Sequence, residues 1–305
     1  MPGKEYKMIT LLSNWGLENA RIISRHSNVW KVDSGKSTFY LKRRTQTSIF
    51  ERWEEFQVTQ YLVGNGVFAE TPILTENGAP FIIWEDSFYS LYASLNGDSL
   101  QHFHMITPDQ CYIIGGYLGR CHQVLMTYPV KEKTAVWDVF GHMEGWLSIG
   151  QTELKEWAVK VYNSIVSLEE YVQMPYQLVH SDVHLGNFIW GEHEISGLVD
   201  FERIRRSPRI ADVSYFITGL LRNSFTDGDA GGLFKKINLF LKGYSWRQML
   251  DEKEIISLYP LIMLFLLQYT LFYSFNGFLK EASSMETLVC SLSDRKEFME
   301  SLTDL

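Results

Sequence analysis

Cysteine is scarce in this chain. Cys111, Cys121 and Cys290 are the whole complement of 305 residues. Three is odd, and no two share a C-x-x-C spacing. That excludes a disulfide framework and a zinc ribbon and suits a reducing compartment. A net positive charge is also missing. Lys and Arg total 28 against 36 Asp and Glu, giving −8 and a pI near 5.5, which argues against sequence-independent nucleic-acid binding. Internal repeats and low-complexity segments are absent. The opening MPGKEYKMITLLSNWG has only a short apolar stretch, Met8 to Leu12, before Ser13 and Asn14. No export signal is expected there, and the expected location is cytoplasmic.

What is abundant is apolar and aromatic. Apolar residues make up 46% and charged residues 21%, which excludes disorder and coiled coil, and 9 Trp, 16 Tyr and 19 Phe can fill a large core. The length suits two lobes better than one core. Leu258 to Tyr273, LYPLIMLFLLQYTLFY, is the one run with membrane-like composition. Pro260, Gln268 and Thr270 interrupt it, so it reads as a buried helix and no membrane partner is expected.

The first 95 residues read as strands around one helix. Val29 to Val32 and Thr38 to Lys42 flank a turn at Asp33-Ser34-Gly35-Lys36, and Ser48 to Val63 reads as a helix ending at Gly64 and Gly66. Ile73 to Thr75 and Pro80 to Trp84 flank Glu76-Asn77-Gly78, a second hairpin signal, and Ser87 to Leu95 reads as a further strand. Asn96-Gly97-Asp98 then breaks the chain, which places the boundary between residues 1–95 and 96–305. The first part holds 10 basic and 10 acidic residues and the second 18 and 26. The surplus of acid therefore lies in the larger part, where it favours a cationic ligand or forms a solvated surface.

Helical signals follow. Thr107-Pro108-Asp109-Gln110 is a capping box, and Cys111, Ile114, Leu118, Cys121, His122 and Leu125 recur at spacings that make one buried face. Glu153 to Tyr171 reads as another helix. Phe188-Ile189-Trp190 and Ile195 to Val199 then flank Gly191-Glu192-His193-Glu194 as a hairpin, and from Ala211 onward the chain returns to helices.

The densest polar information lies at the two ends of that last hairpin. His180-Ser181-Asp182-Val183-His184-Leu185-Gly186-Asn187 enters it and Asp200-Phe201-Glu202 leaves it. The hairpin predicts that Asp182, Asn187 and Asp200 converge. Their oxygens suit Mg²⁺ beside substrate phosphates, with a further Asp to take or orient a hydroxyl proton. A transition-metal site on His180, Asp182 and His184 is the alternative, which leaves Asn187 and Asp200 without a role.

HSDVHLGN followed by DFE resembles the aminoglycoside phosphotransferase and choline-kinase-like family, which shares the protein-kinase-like fold. Tyr40-Leu41-Lys42, Glu55 to Leu62, Leu118-Gly119-Arg120-Cys121-His122 and Pro208-Arg209-Ile210-Ala211-Asp212 resemble further family segments in the same order. The resemblance implies an α+β, two-lobed fold with a β-rich N-terminal nucleotide-binding lobe and a helical C-terminal lobe. It implies ATP and Mg²⁺ as cofactors and a hydroxyl of a small molecule as acceptor, of aminoglycoside, choline or homoserine type. Lys42 would contact the phosphates and be oriented by Glu55. Ser27 and Asn28 would cover the nucleotide, and Ala93, Ser94 and Leu95 would line the adenine. Asn187 and Asp200 would hold the metal, Asp182 would position the acceptor, and His180, His184 and Asp212 would support the loop.

Plain alternatives stand beside these roles. Lys42 also reads as an ordinary strand-end lysine, and Glu55 competes with Glu51 and Glu54 on a solvated face. The sequence departs from the family with Ser181 in place of a usual Gly, and with no glycine in Ser24-Arg25-His26-Ser27-Asn28. The run Arg203, Arg205, Arg206, Arg209 reads either as a solvated loop or as a site for an anionic acceptor, opposite in sign to Asp227 and Asp229. A catalytically silent, scaffolding relative, as in spore-coat-associated members, is the rival function.

Overall fold

The computed structural model describes residues 8–100, 102–149, 154–165, 169–227 and 232–302. The architecture is mixed α+β. The chain forms two compact units, one of residues 1–97 with 196–202 and the other of 98–195 with 203–305. A single cut at residue 95 therefore does not describe the division, because the segment carrying Asp200 belongs with the N-terminal unit.

In the first unit, β1 (Arg21–His26), β2 (Val29–Asp33), β3 (Thr38–Arg44), β6 (Ser87–Ala93) and β4 (Pro72–Ile73) lie side by side in that order, all neighbours antiparallel. β5 (Ile82–Trp84) also pairs with β6. The hairpin expected across Glu76-Asn77-Gly78 is therefore corrected. Thr75 N–H donates to the Ala79 carbonyl at 2.8 Å to form a turn, but both flanking strands pair with β6 instead of each other. The hairpin turn is at Glu85 and Asp86, whose φ of 46° and 54° are left-handed without glycine.

Strand alternation decides what faces what. Leu41 packs in a cluster with Leu12, Trp30, Val32, Tyr89 and Leu91. Its neighbour Lys42 points to the other side of the sheet, opposite Ser90 of β6. Helix α1 (Ile49–Gly64) starts at a capping box in which Ser48 accepts from Glu51 N–H and Glu51 accepts from Ser48 N–H.

The second unit is mostly helical. Its helices are α2 (Pro108–Leu125), α3 (Val139–Ser148), α4 (Lys155–Ile165), α5 (Glu169–Val172), α6 (Ile210–Asp227), α7 (Leu233–Arg247), α8 (Glu252–Phe275), α9 (Leu279–Ser291) and α10 (Arg295–Glu300). α2 starts with the expected capping box, Thr107 and Gln110. It crosses α7 at backbone distance, because a Cβ on Gly115 would meet the Phe240 carbonyl oxygen at 1.9 Å. One on Gly243 would meet the Tyr112 carbonyl oxygen at 2.0 Å. The helix expected over Glu153 to Tyr171 is helical in the described α4 and α5, and residues 153 and 166–168 of it lie outside the described residues.

α8 is strongly apolar, and most of it is buried within the protein. Among the described residues it alone is long and apolar enough to cross a membrane. Leu258, Ile262, Leu264, Leu266 and Leu267 are fully enclosed, each worth about 1.5–3 kcal/mol in transfer from water. This burial carries the helix through Pro260, which costs it a backbone hydrogen bond. Two short ladders complete the unit. β8 (Gln177–Val179) pairs with β11 (Arg205–Ser207), and β7 (Asp98–Ser99) pairs with β9 (Phe188–Trp190). Gly191 N–H donates to the Glu194 carbonyl at 2.8 Å and turns the chain toward β10 (Ile195–Leu198).

Candidate active site

In the second unit, the loop between β8 and β9 hangs from one buried carboxylate. Asp212, fully enclosed near the start of α6, accepts from His180 N–H and Ser181 N–H at 2.8 Å each. Its Oδ2 also meets His122 Nε2 at 3.1 Å, and His122 Nδ1 meets the Tyr244 hydroxyl at 2.8 Å. Two charge-assisted hydrogen bonds to consecutive amides fix the loop's entry. They also hold Ser181 at φ 60°, a left-handed conformation that most side chains avoid. The small Ser181 side chain is accommodated because its hydroxyl donates to the Arg203 carbonyl.

The next residues are set by the same local logic. Asp182 N–H donates to His180 Nδ1 at 3.3 Å, and the Asp182 carbonyl accepts from Asn187 Nδ2 at 2.9 Å. That bond uses the Asn187 amide nitrogen and leaves its oxygen as an acceptor. His184 caps the short turn Leu185–Asn187, its Nδ1 accepting from Gly186 N–H at 3.1 Å. The Asp182 carboxylate is half-buried, and its Oδ1 receives the Tyr215 hydroxyl at 3.3 Å. Among the described residues no group of three or more His, Cys, Asp and Glu is placed to hold a metal. His180, Asp182 and His184 therefore do not make the transition-metal site weighed above.

The first unit places Lys42 in a pocket of carboxylates. Its Nζ lies 2.6 Å from Glu70 Oε2 and 2.7 Å from Asp200 Oδ1, and 4.9 Å from the centre of the Tyr92 ring. Burial opposes the ammonium charge, but Glu70 and Asp200 outweigh it and hold the Lys42 pKa above its ordinary value. Burial pushes the Glu70 carboxyl up, and Lys42 pulls it back. Asp200 stands at φ 64° and also meets Arg44 at 3.2 Å, while Arg44 pairs with Glu202. Glu202 is thus an ion-pair partner of Arg44.

The expected pairing of Lys42 with Glu55 is corrected. Glu55 is buried, but its Oε2 accepts from Arg52 at 2.5 Å and its Oε1 from the Tyr92 hydroxyl at 2.8 Å. An arginine one helical turn away has claimed it. Glu70 takes its place for a backbone reason. Residues 68–70 run parallel to the end of β10, Leu198 N–H donating to the Phe68 carbonyl at 3.2 Å and Glu70 N–H to the Leu198 carbonyl at 2.8 Å. Gly197 permits the approach, since a Cβ there would lie 2.7 Å from Leu95 Cδ1 and 3.2 Å from the Phe68 carbonyl oxygen. Asp200 N–H then donates to Glu70 Oε2 at 3.3 Å. Sequence reasoning missed Glu70; its only signal is an acid within an otherwise apolar Val67-Phe68-Ala69 run.

The remaining expected residues are placed as follows. Ser27 and Asn28 form the β1–β2 turn, Ser27 at φ 52°, with the Asn28 carbonyl accepting from Arg43 N–H at 2.8 Å. Ala93 ends β6, and Ser94 N–H donates to the Thr38 carbonyl at 3.0 Å. Leu95 is half-buried. Of the arginine run, Arg206 donates to the Thr134 carbonyl at 2.9 Å. Arg209 pairs with Glu254 at 2.7 and 2.8 Å. Both have internal partners. The Asp227 side chain and Asp229 lie outside the described residues.

A model of the phosphotransferase enzyme family (APH) matches residues 19–249. Amicoumacin kinase of Bacillus subtilis (strain 168) is 28% identical over 152 residues, which are 46% of this chain and 43% of that protein, so the match spans less than half the relative's length. Among solved structures, amicoumacin kinase hAmiN in complex with AMP-PNP, Ca²⁺ and Ami superposes with a TM-score of 0.74 at 19% identity, covering 95% of this chain and 92% of that one. A microcompartment-associated aminopropanol kinase gives 0.71 at 17%, covering 97% and 98%. An aminoglycoside phosphotransferase from Alicyclobacillus acidocaldarius gives 0.67 at 15%, covering 95% and 96%. These likenesses establish the kinase-like fold.

Proposed function

Because this chain belongs to the phosphotransferase enzyme family, we propose that it is an ATP-dependent small-molecule kinase that transfers the γ-phosphoryl group to an acceptor hydroxyl. The observation that carries this reading is the buried Lys42, kept charged by Glu70 and Asp200 at 2.6 and 2.7 Å. A desolvated, oriented ammonium of this kind is suited to phosphate oxygens. In this reading Glu70, not Glu55, orients Lys42, and Glu55 braces α1 against β6 through Arg52 and Tyr92. Ser27 and Asn28 cover the nucleotide, and Ala93, Ser94 and Leu95 border its base.

The donors present fit a hard divalent cation. Asp200 offers a carboxylate, and Asn187 offers an amide oxygen because its nitrogen is committed to the Asp182 carbonyl. Mg²⁺ bound there would supply positive charge to the phosphates. The neighbour holding AMP-PNP and Ca²⁺ supports a nucleotide with a divalent ion. Asp182 holds the acceptor hydroxyl and receives its proton. The acceptor oxygen bonds to the γ-phosphorus as the bond to the bridging oxygen breaks and ADP leaves. His180, Asp212 and His184 keep the loop in this shape.

An amine-bearing, hydroxylated small molecule is the favoured acceptor. The acid surplus of residues 96–305 supports it, as do the aminopropanol and aminoglycoside kinases among the neighbours. Arg206 and Arg209, the cations best placed in sequence for an anionic acceptor, are bound internally. The test is an ATP-consumption screen against amicoumacin, aminopropanol, aminoglycosides, choline-like amines and homoserine. ADP formation dependent on one acceptor class is expected. Failure of millimolar Mg·ATP to raise the melting temperature would contradict the proposal, since a ligand at 100 times its Kd adds about 2.7 kcal/mol.

A further inference from the structure

The Asp182 carboxylate is held from a side that the loop motif does not supply. Tyr215, on α6, donates its hydroxyl to Asp182 Oδ1 at 3.3 Å, and Tyr269, on α8, donates to the Tyr215 oxygen at 2.8 Å. A phenol has one proton. Since the Tyr215 oxygen accepts from Tyr269, its own proton is directed at Asp182. The Tyr215 ring is itself fixed, edge-on to Phe265 at 5.2 Å and to Trp137 at 5.9 Å. Tyr269 is fixed by the Arg222 guanidinium, 4.5 Å above its ring.

We propose that Tyr215, oriented by Tyr269, is a positioning residue for Asp182. It occupies Oδ1 and leaves Oδ2 as the oxygen that meets the acceptor hydroxyl. The inference rests on the reading of Asp182 as the group that takes the acceptor proton. The backbone of Asp182 is already tied by His180 and Asn187, but neither touches its carboxylate. Rotation of that carboxylate is restrained by the Tyr215 hydroxyl. A contact of 3.3 Å is long for a hydroxyl on a carboxylate, as hydrogen bonds in unliganded catalytic sites often are before they tighten.

The arrangement also assigns a role to α8. Its apolar face builds the core, and its Tyr269 connects that core to the reacting group. The two tyrosines act in series, so their effects are not independent.

The experiment uses the full chain with Mg·ATP as the only probe, water standing in as acceptor, and reads inorganic phosphate release, nucleotide affinity and melting temperature. Tyr215→Phe is expected to slow release about tenfold with the Mg·ATP Kd unchanged within about twofold, a share of the roughly 100- to 10,000-fold effect of a general base. Tyr269→Phe is expected to slow release severalfold. The double variant is expected to match Tyr215→Phe alone, because the outer hydroxyl acts only through the inner one. Tyr259→Phe, on α8 but with its hydroxyl donated to the Leu292 carbonyl just after α9, controls for a purely structural tyrosine and is expected to move only the melting temperature.

Full activity in Tyr215→Phe while Asp182→Asn is inactive would overturn the inference, as would multiplicative losses in the double variant. Should wild type release no phosphate to water, the same variants are compared on the acceptor found in the ATP-consumption screen. The contact itself is still read by stability. Tyr215→Phe should lower the melting temperature more in wild type than in an Asp182→Ala background, where only the bond from Tyr269 is lost, and an equal loss in both would overturn the contact.

Discussion

Replacing Lys42 by Met and Glu70 by Gln, singly and together, measures the pairing that the structure substitutes for the expected one. Both side chains are nearly enclosed, at 8% and 6% exposure, and 2.6 Å apart. A charge-assisted hydrogen bond contributes about 1.5–3 kcal/mol. Asp200 remains as a second partner for Lys42, but its side chain is 37% exposed and its pull is screened. A coupling energy of about 2 kcal/mol between Lys42 and Glu70 is therefore expected. Glu70→Gln alone then lowers the melting temperature by about 4–8 °C, at roughly 2–4 °C per kcal/mol for a chain of this size. The parallel cycle with Glu55→Gln should show coupling below about 0.5 kcal/mol, because Glu55 reaches Lys42 only through Tyr92. The assay is thermal unfolding of the four proteins in each cycle, followed on the transition that Lys42→Met itself moves. Strong coupling of Lys42 to Glu55 with none to Glu70 would refute the reasoning.

Other consequences are checkable by equally simple means. Lys42 has a raised pKa, so its stabilising contribution is full below the ordinary lysine value and is lost as pH rises through the folded one; the stability difference between wild type and Lys42→Met should shrink in alkaline titration. Asp212→Ala removes the acceptor of two backbone amides and His122 at a fully buried site, and should cost about 3–5 kcal/mol in chemical denaturation. Gly115→Ala or Gly243→Ala should cost at least about 1–3 kcal/mol by forcing α2 and α7 apart. Native protein should expose one fast-reacting thiol to a disulfide reagent, Cys290. Cys111 and Cys121 are buried, and burial pushes the Cys111 thiol up to about 12.

Much of this was legible wherever the determinants are local. The helix beginning near Ser48, the capping box at Thr107, the buried face of α2 and the spacing of His180, Asp182 and Asn187 are all read within a few residues. What stayed hidden depends on contacts distant in sequence. Glu70 meets Lys42 because residues 68–70 run beside Leu198, about 130 positions away, and nothing near Glu70 announces that neighbour. Glu55 looked right in sequence because its helix and spacing are right; Arg52 one turn before it and Tyr92 in the sheet decide its partners. The Glu76-Asn77-Gly78 signal is a true turn, yet pairing was settled by β6, and the real hairpin turn used Glu85 and Asp86 against their usual preference. Tyr215 stands in the helical stretch after Ala211 and Tyr269 in the apolar run of α8, and nothing near either in sequence announces Asp182.

The central claim is that this chain moves phosphate from Mg·ATP to a small hydroxylated molecule with Asp182 at the acceptor. Phosphorus NMR of Mg·ATP incubated with the protein and the acceptor panel tests it most directly. The account predicts ADP together with a new phosphomonoester resonance for one acceptor class, both lost in Asp182→Asn while nucleotide binding persists. A phosphomonoester formed equally well by Asp182→Asn, or ATP left intact by folded protein with every acceptor, would contradict it.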